Sequence, residues 1–165
     1  YFIIYTIKMQ TLDEVDSKIL YILIDNTRTP FTDIAKRLLI SAGTVHVRVK
    51  KMEDLAIIKG SSLTLDYKML GYNFIAYVGI LIDRSRRTYE IIEELKKKPY
   101  VTVAHITTGK YNIFCKIRAK GTEHARDIIF SIDDVEGVLR TETMISLEES
   151  INDKKRLMKN IFQDL

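Results

Sequence analysis

Within residues 13–55, apolar side chains recur at helical spacing in three short runs, and the gaps between them have room only for turns. Val15, Ile19, Leu20, Ile22 and Leu23 make the first run, from Asp13 to Asn26, with Thr11 or Asp13 as its cap. Arg28-Thr29-Pro30 breaks it, because proline disfavours helix in the residue before it. Phe31, Ile34, Ala35, Leu38 and Leu39 make a second, short helix. Ser41 is a good N-cap for a third, from Ala42 to Leu55. Two short helices with about three residues between them describe a helix-turn-helix. Residues 57–65 read as two β-rich runs around Gly60-Ser61, a small hairpin or wing.

The third helix divides into faces. Val45, Val49 and Met52 share one buried stripe. The opposite side holds Gly43, Val47, Lys50, Lys51 and Asp54, with Thr44, His46 and Arg48 flanking it. Small and hydrogen-bonding residues at its start permit close approach to base edges, and the cations further along reach phosphates. Asp54 argues for contact concentrated in the N-terminal half.

Beyond a hinge at residues 67–72 the periodicity changes. Phe74 to Ile82 is a continuous apolar, β-branched run; Ser85 to Lys98 is an amphipathic helix; Val101 to Thr107 and Ile113 to Ile117 are strands around a Gly109-Lys110 turn. Thr122 to Asp134 is a helix with Ala125, Ile128, Ile129 and Ile132 inward, and Val138 to Leu147 is the last strand. The order β-α-β-β-α-β is the ferredoxin-like arrangement, so the fold class is α+β. A two-residue hairpin turn pairs Thr107 with Asn112 and Ala104 with Cys115. Ala104, Ile106, Ile113, Cys115 and Ile117 then face the helices, with Val103, His105, Phe114 and Lys116 opposite. The first strand is apolar on both faces, yet two helices cover one, so the other face calls for self-association. The domain boundaries read as 9–66, 67–72, 73–151 and a polar helical tail at 152–165.

The chain has 165 residues, room for one ordinary domain or two very small ones. Hydrophobic residues at 46% and charged residues at 29% fit a soluble globular chain. No apolar run reaches membrane-spanning length, so no membrane partner is expected. Tyr1 to Ile7 is too short for a signal sequence; Met9 reads as the natural start, and residues 1–8 are set aside. The lone Cys115 cannot form an internal disulfide, which fits a reducing, cytoplasmic setting. A net charge of +4 and an isoelectric point near 9.0 favour anionic partners mildly. Cys115 and His105 fall on opposite sheet faces, three scattered histidines make no metal site, and no phosphate-binding glycine loop occurs. No enzymatic activity, metal or cofactor is therefore expected.

Asp16-Ser-Lys-Ile-Leu, Asn26-Thr-Arg-Thr, Ile34-Ala-Lys-Arg-Leu, the run from Ser41 to Met52, Ile57-Ile-Lys-Gly, Leu70-Gly-Tyr, Thr107-Thr-Gly-Lys-Tyr-Asn and Thr141-Glu-Thr together resemble the Lrp/AsnC family of prokaryotic transcription regulators, from Leu12 to about Ile151. The resemblance implies a winged helix-turn-helix joined to a ligand-binding and oligomerisation domain. It further implies double-stranded DNA as partner, dimers that build octameric rings, and an amino-acid effector bound between dimers. The Gly43–Arg48 and Thr107–Tyr111 stretches are most like the asparagine-responsive branch, so asparagine is the first expectation and another amino acid the second. The candidate DNA contacts are Arg28, Ser41, Gly43, Thr44, His46, Val47, Arg48, Lys50, Lys51 and Lys59. The candidate effector contacts are Thr107, Thr108, Gly109, Tyr111, Asn112, Thr141, Glu142 and Thr143. Backbone N–H groups near Gly109 suit a ligand carboxylate; Glu142 or a backbone carbonyl suits its ammonium.

The sequence departs from the family at Leu39 and Ala56, where glycine is usual, at Ala42, where proline is common, and at Asn112, where many relatives carry aspartate. Either the turns at Leu39 and Ala56 are strained, or the second helix runs on and its turn is reshaped. An alternative reading is a metabolite-binding oligomeric module whose N-terminal helices make protein contacts.

Overall fold

The computed structural model describes residues 12–153 and 155–161, which fall into two compact units. One runs up to Leu63 and includes the chain from Ile151 onward; the other is Thr64–Ser150. The expectations for residues 1–8, and for Thr11 as a cap, lie outside the described residues.

In the first unit α1 is Glu14–Asp25, α2 is Phe31–Leu38 and α3 is Ala42–Asp54. Asp13 caps α1 through a reciprocal box: its side chain accepts from the Asp16 amide at 2.9 Å, and the Asp16 carboxylate accepts from the Asp13 amide at 3.3 Å. Ser41 caps α3 by accepting from the Thr44 amide at 3.0 Å. Ile19 and Leu20 of α1, Ile34 and Ala35 of α2, and Val45, Val49 and Met52 of α3 form the core.

Helix α2 ends one residue earlier than the apolar spacing suggests. Leu39 takes a left-handed backbone at φ 56°, and its side chain is 93% exposed rather than packed. Ala56 is also left-handed, at φ 55°. The strained alternative is therefore the one realised at both turns. The expected wing strands at 57–65 do not form. Instead the Ile57 and Ile58 amides turn back to the Met52 carbonyl at 2.9 and 3.1 Å, and residues 59–70 lie exposed without a ladder. A two-stranded hairpin with nothing packed on it is marginal in water.

In the second unit β1 is Phe74–Ile82, followed by a 3₁₀ turn at Ser85–Arg87 and α4 at Thr88–Lys96. Then come β2 at Val101–Ile106, β3 at Ile113–Ala119, α5 at Thr122–Asp133 and β4 at Val138–Ile145. The sheet order is β2-β3-β1-β4 with every neighbour antiparallel, the ferredoxin-like topology. Ala104 pairs with Cys115 as expected, and a register shift between Val101 and Val103 breaks the ladder further on. Ala76, Val78, Ile80, Ile113, Cys115 and Ile117 pack under Ile91 and Leu95 of α4 and Ala125, Ile128 and Ile132 of α5. Ala104 and Ile106 share that face but are exposed, contrary to expectation, because β2 is an edge strand. Burial raises the Cys115 thiol to a pKa of about 11, so it stays protonated and inert at neutral pH.

The tail carries α6, Arg156–Ile161, as expected of a helical tail, but Met158 packs on the core of the first unit.

Replacing Leu39 with glycine removes a strained Cβ and little else. Leu39→Gly is expected to leave stability unchanged or raise it by up to about 1 kcal/mol in urea unfolding, once the added freedom of the unfolded chain is discounted. A loss of about 1 kcal/mol or more would show that Leu39 makes contacts worth more than the strain.

Candidate nucleic-acid interface and ligand cluster

The leading half of α3 presents one face to solvent, opposite the buried Val45 and Val49. Its cap, Ser41, also shares a hydrogen bond of 2.8 Å with the Thr44 hydroxyl, so the Thr44 side chain is held at the helix start. Gly43 and His46 are exposed, and Val47 is 68% exposed although it is apolar and β-branched. The His46 ring meets Phe31 of α2 edge-on at 6.1 Å. Lys50 is exposed and pairs with Asp54, one turn on, at 2.8 Å. Such an exposed pair is worth little, so Lys50 exchanges it for another anion at low cost.

Arg48 and Lys51 are placed differently. The Arg48 Nη1 lies 2.7 Å from Asp13 and 2.8 Å from Asp16, and the Lys51 ammonium lies 3.5 Å from Asp16. Both cations turn toward the start of α1, away from the side expected to carry phosphate contacts. The first-turn amide of Asp16, and then the Arg48 guanidinium, hold the Asp13 carboxyl below the ordinary aspartate range. Arg28 is exposed in the turn after α1, its amide donating to the Asn26 side chain at 3.0 Å. Lys59 is exposed just beyond α3.

The second unit gathers polar groups on the sheet face opposite the helices. The Tyr111 hydroxyl donates to a Glu142 carboxylate oxygen at 2.6 Å, and the Lys110 ammonium reaches the same oxygen at 2.6 Å. Arg140 lies 3.1 Å from the other oxygen. The Lys110 ammonium and the Tyr111 hydroxyl together hold Glu142 below its usual pKa, so it is an anion at neutral pH. The Tyr111 ring lies against Gly79, and a Cβ there would come within 2.5 Å of it. Tyr111, Phe114 and Tyr77 continue as a stacked row at 6.1 and 5.8 Å.

The eight expected effector residues do not all converge. Glu142 pairs with Gly79, whereas Thr141 and Thr143 pair with Ile80 and Val78 and so share the helix-covered face. The Thr107 hydroxyl donates to the Tyr111 carbonyl, closing the turn. Asn112 is bound up in the sheet: its amide donates to Ile80 O at 2.9 Å and its side-chain oxygen accepts from Ile82 N at 3.1 Å. Thr108 and Gly109 are exposed at the tip. Lys110 and Gly79 were not among the expected site residues. A glycine inside an otherwise apolar strand was the available signal for close approach. Lys110 gave none, because turn lysines are common.

A family model described as the AsnC-type helix-turn-helix domain matches residues 12–53, and one described as the Lrp/AsnC ligand binding domain matches residues 75–155. The Regulatory protein AsnC of Haemophilus influenzae is 34% identical over 144 residues, spanning 87% of this chain and 96% of that protein. Its namesake in Escherichia coli K12 is 33% identical over 141 residues, 85% of this chain and 93% of that protein. The solved structure of E. coli AsnC superposes with a TM-score of 0.83 at 31% identity, over 86% of this chain and 96% of that one. A transcriptional regulator from Neisseria meningitidis, solved as a complex with L-Met, shares the fold with a TM-score of 0.82 at 20% identity, over 87% and 95% of the two chains.

The seat of Tyr111 is open to a direct measurement. Gly79→Ala is expected to cost about 1–3 kcal/mol in urea unfolding, because backbone or ring must give way. In a Tyr111→Ala background the same change is expected to cost almost nothing. Equal costs in both backgrounds would mean that the ring does not lie on Gly79.

Proposed function

The chain belongs to the Lrp/AsnC family of transcription regulators, and on that premise we propose that it enters the DNA major groove with the leading half of α3 and changes its DNA binding when an amino acid binds the second unit. The observation that carries the DNA reading is the solvent-facing row Gly43, His46, Val47 and Lys50 on a helix whose opposite stripe is buried. Gly43 permits close approach, Val47 suits a thymine methyl, and Thr44 and His46 supply hydrogen-bonding groups. Lys50, Arg28 and Lys59 supply phosphate contacts and hence register. Arg48 and Lys51 act on DNA indirectly, by fixing α3 against α1.

The effector reading rests on the Glu142, Lys110 and Tyr111 cluster. A free amino acid carries an ammonium and a carboxylate; Glu142 suits the first, and Lys110 suits the second. An amino acid taken up there exchanges the Lys110–Glu142 pair for two pairs with the ligand. The L-Met complex of the Neisseria regulator supports the amino-acid class; asparagine remains the specific proposal on the motif resemblance. Self-association is proposed through the same sheet face, where Ile75, Tyr77 and Leu81 are only half-buried and Val103 and Met144 are exposed.

Binding to duplex DNA should be steeply salt-dependent. Lys50→Ala is expected to weaken binding to all sequences and to reduce the slope of log K against log salt by about 1, while Arg48→Ala weakens binding with the slope unchanged. Thr44→Ala or Val47→Ala is expected to change sequence preference. Unaltered affinity in the Lys50, Thr44 and Val47 variants would remove this face as the DNA surface.

In sedimentation velocity the free protein is expected to run as a dimer or larger, and one of the twenty amino acids to shift that distribution while raising Tm. A lone subunit indifferent to all twenty would end both the assembly and the effector readings.

A further inference from the structure

An apolar groove of about 460 Å³ opens on the helix-turn-helix unit, lined by Leu20, Leu23, Phe31, Val49, Ile57 and Ile58. Its rim is completed from the far end of the chain, by Met158 of α6. Glu53 and Lys59 also line it, Lys59 being one of the candidate phosphate contacts, whereas none of Ser41, Gly43, Thr44 or Val47 does.

Two further contacts hold the tail there. Lys155 makes an ion pair with Asp25, the last residue of α1, and its ammonium lies 5.4 Å from the centre of the Tyr21 ring. Helix α1 has no basic residue of its own in its last turn, where the helix dipole favours a cation. Lys155 supplies it from more than a hundred positions away. The spacing of the tail also fits the groove: Met158 and Ile161 stand three apart on α6, and both are half-buried.

We propose that the C-terminal segment is a built-in strap of the helix-turn-helix unit, with Met158 forming one wall of its groove against the core and Lys155 capping the charge at the end of α1. The chain thus enters this unit twice, once up to Leu63 and again from Ile151. The second entry follows β4, the strand that carries Glu142, after a short exposed stretch at 147–150. The unit that reads DNA is therefore covalently tied at both ends to the unit that carries the ligand cluster, rather than hung from a single linker.

Hydrogen exchange on the full-length protein tests this. Met158→Asp, and separately a chain ending at Ser150, are expected to speed exchange about tenfold at the Leu23 and Ile58 amides, with the Val78 and Cys115 amides unchanged. Lys155→Ala is expected to do the same to a smaller degree, and Met158→Leu to restore the wild-type rates. Rates at Leu23 and Ile58 that ignore both Met158→Asp and the truncation overturn the strap. So does a rise that is equal in the two units. Protection that falls on dilution would assign the groove to the tail of a second copy and overturn the intramolecular strap as well.

Discussion

Asp16 has no exposed surface, yet it carries a carboxylate, and α3 is held by what that carboxylate requires. A buried charge costs several kcal/mol unless it is paired and hydrogen-bonded. Compensation comes from three directions: the Asp13 amide in the capping box, Arg48 and Lys51. The first turn of α1 adds a favourable dipole. Because the two cations sit on α3 and the acid on α1, neither helix can rotate without leaving the charge unpaired. The ion pairs add a fixed polar contact to the apolar packing of Val45, Val49 and Met52, and together these leave Gly43, Val47 and Lys50 facing solvent.

The sheet of the second unit solves a different problem with its two faces. One face is aliphatic and closed by α4 and α5. The other carries aromatic rings and charge, and Gly79 is the pivot, because only a residue without a side chain lets Tyr111 lie on the strand. From that seat the Tyr111 hydroxyl reaches across β1 to Glu142 on β4. The same cluster therefore has a rigid floor, an anion and a nearby cation, the minimum for recognising a zwitterion.

Much of this was legible in sequence where local rules govern. The Asp13 and Ser41 caps follow from residue type and position, the β1 limits from a long β-branched run, and the Ala104–Cys115 register from the place of the Gly109-Lys110 turn, although the strands stop at Ile106 and Ile113 and leave a loop longer than two residues. Faces within one element also read correctly, as Val45, Val49 and Met52 show. The failures have a common cause. Residues 57–65 have strand propensity, but propensity cannot supply a partner, and the two isoleucine amides donate to the Met52 carbonyl instead. Ala104 and Ile106 point toward the helices, but their strand lies at the edge, beyond helical cover.

The order of elements, the buried stripe of each helix and the ferredoxin-like succession were settled by the sequence itself, since spacing, caps and turns act over a few residues. Tertiary structure alone decided that Arg48 and Lys51 serve Asp16, that Lys110 and Tyr111 meet Glu142, and that the tail returns to the first unit. Each of those depends on which groups meet across many residues of chain, and a charge or methionine carries no mark of its distant partner.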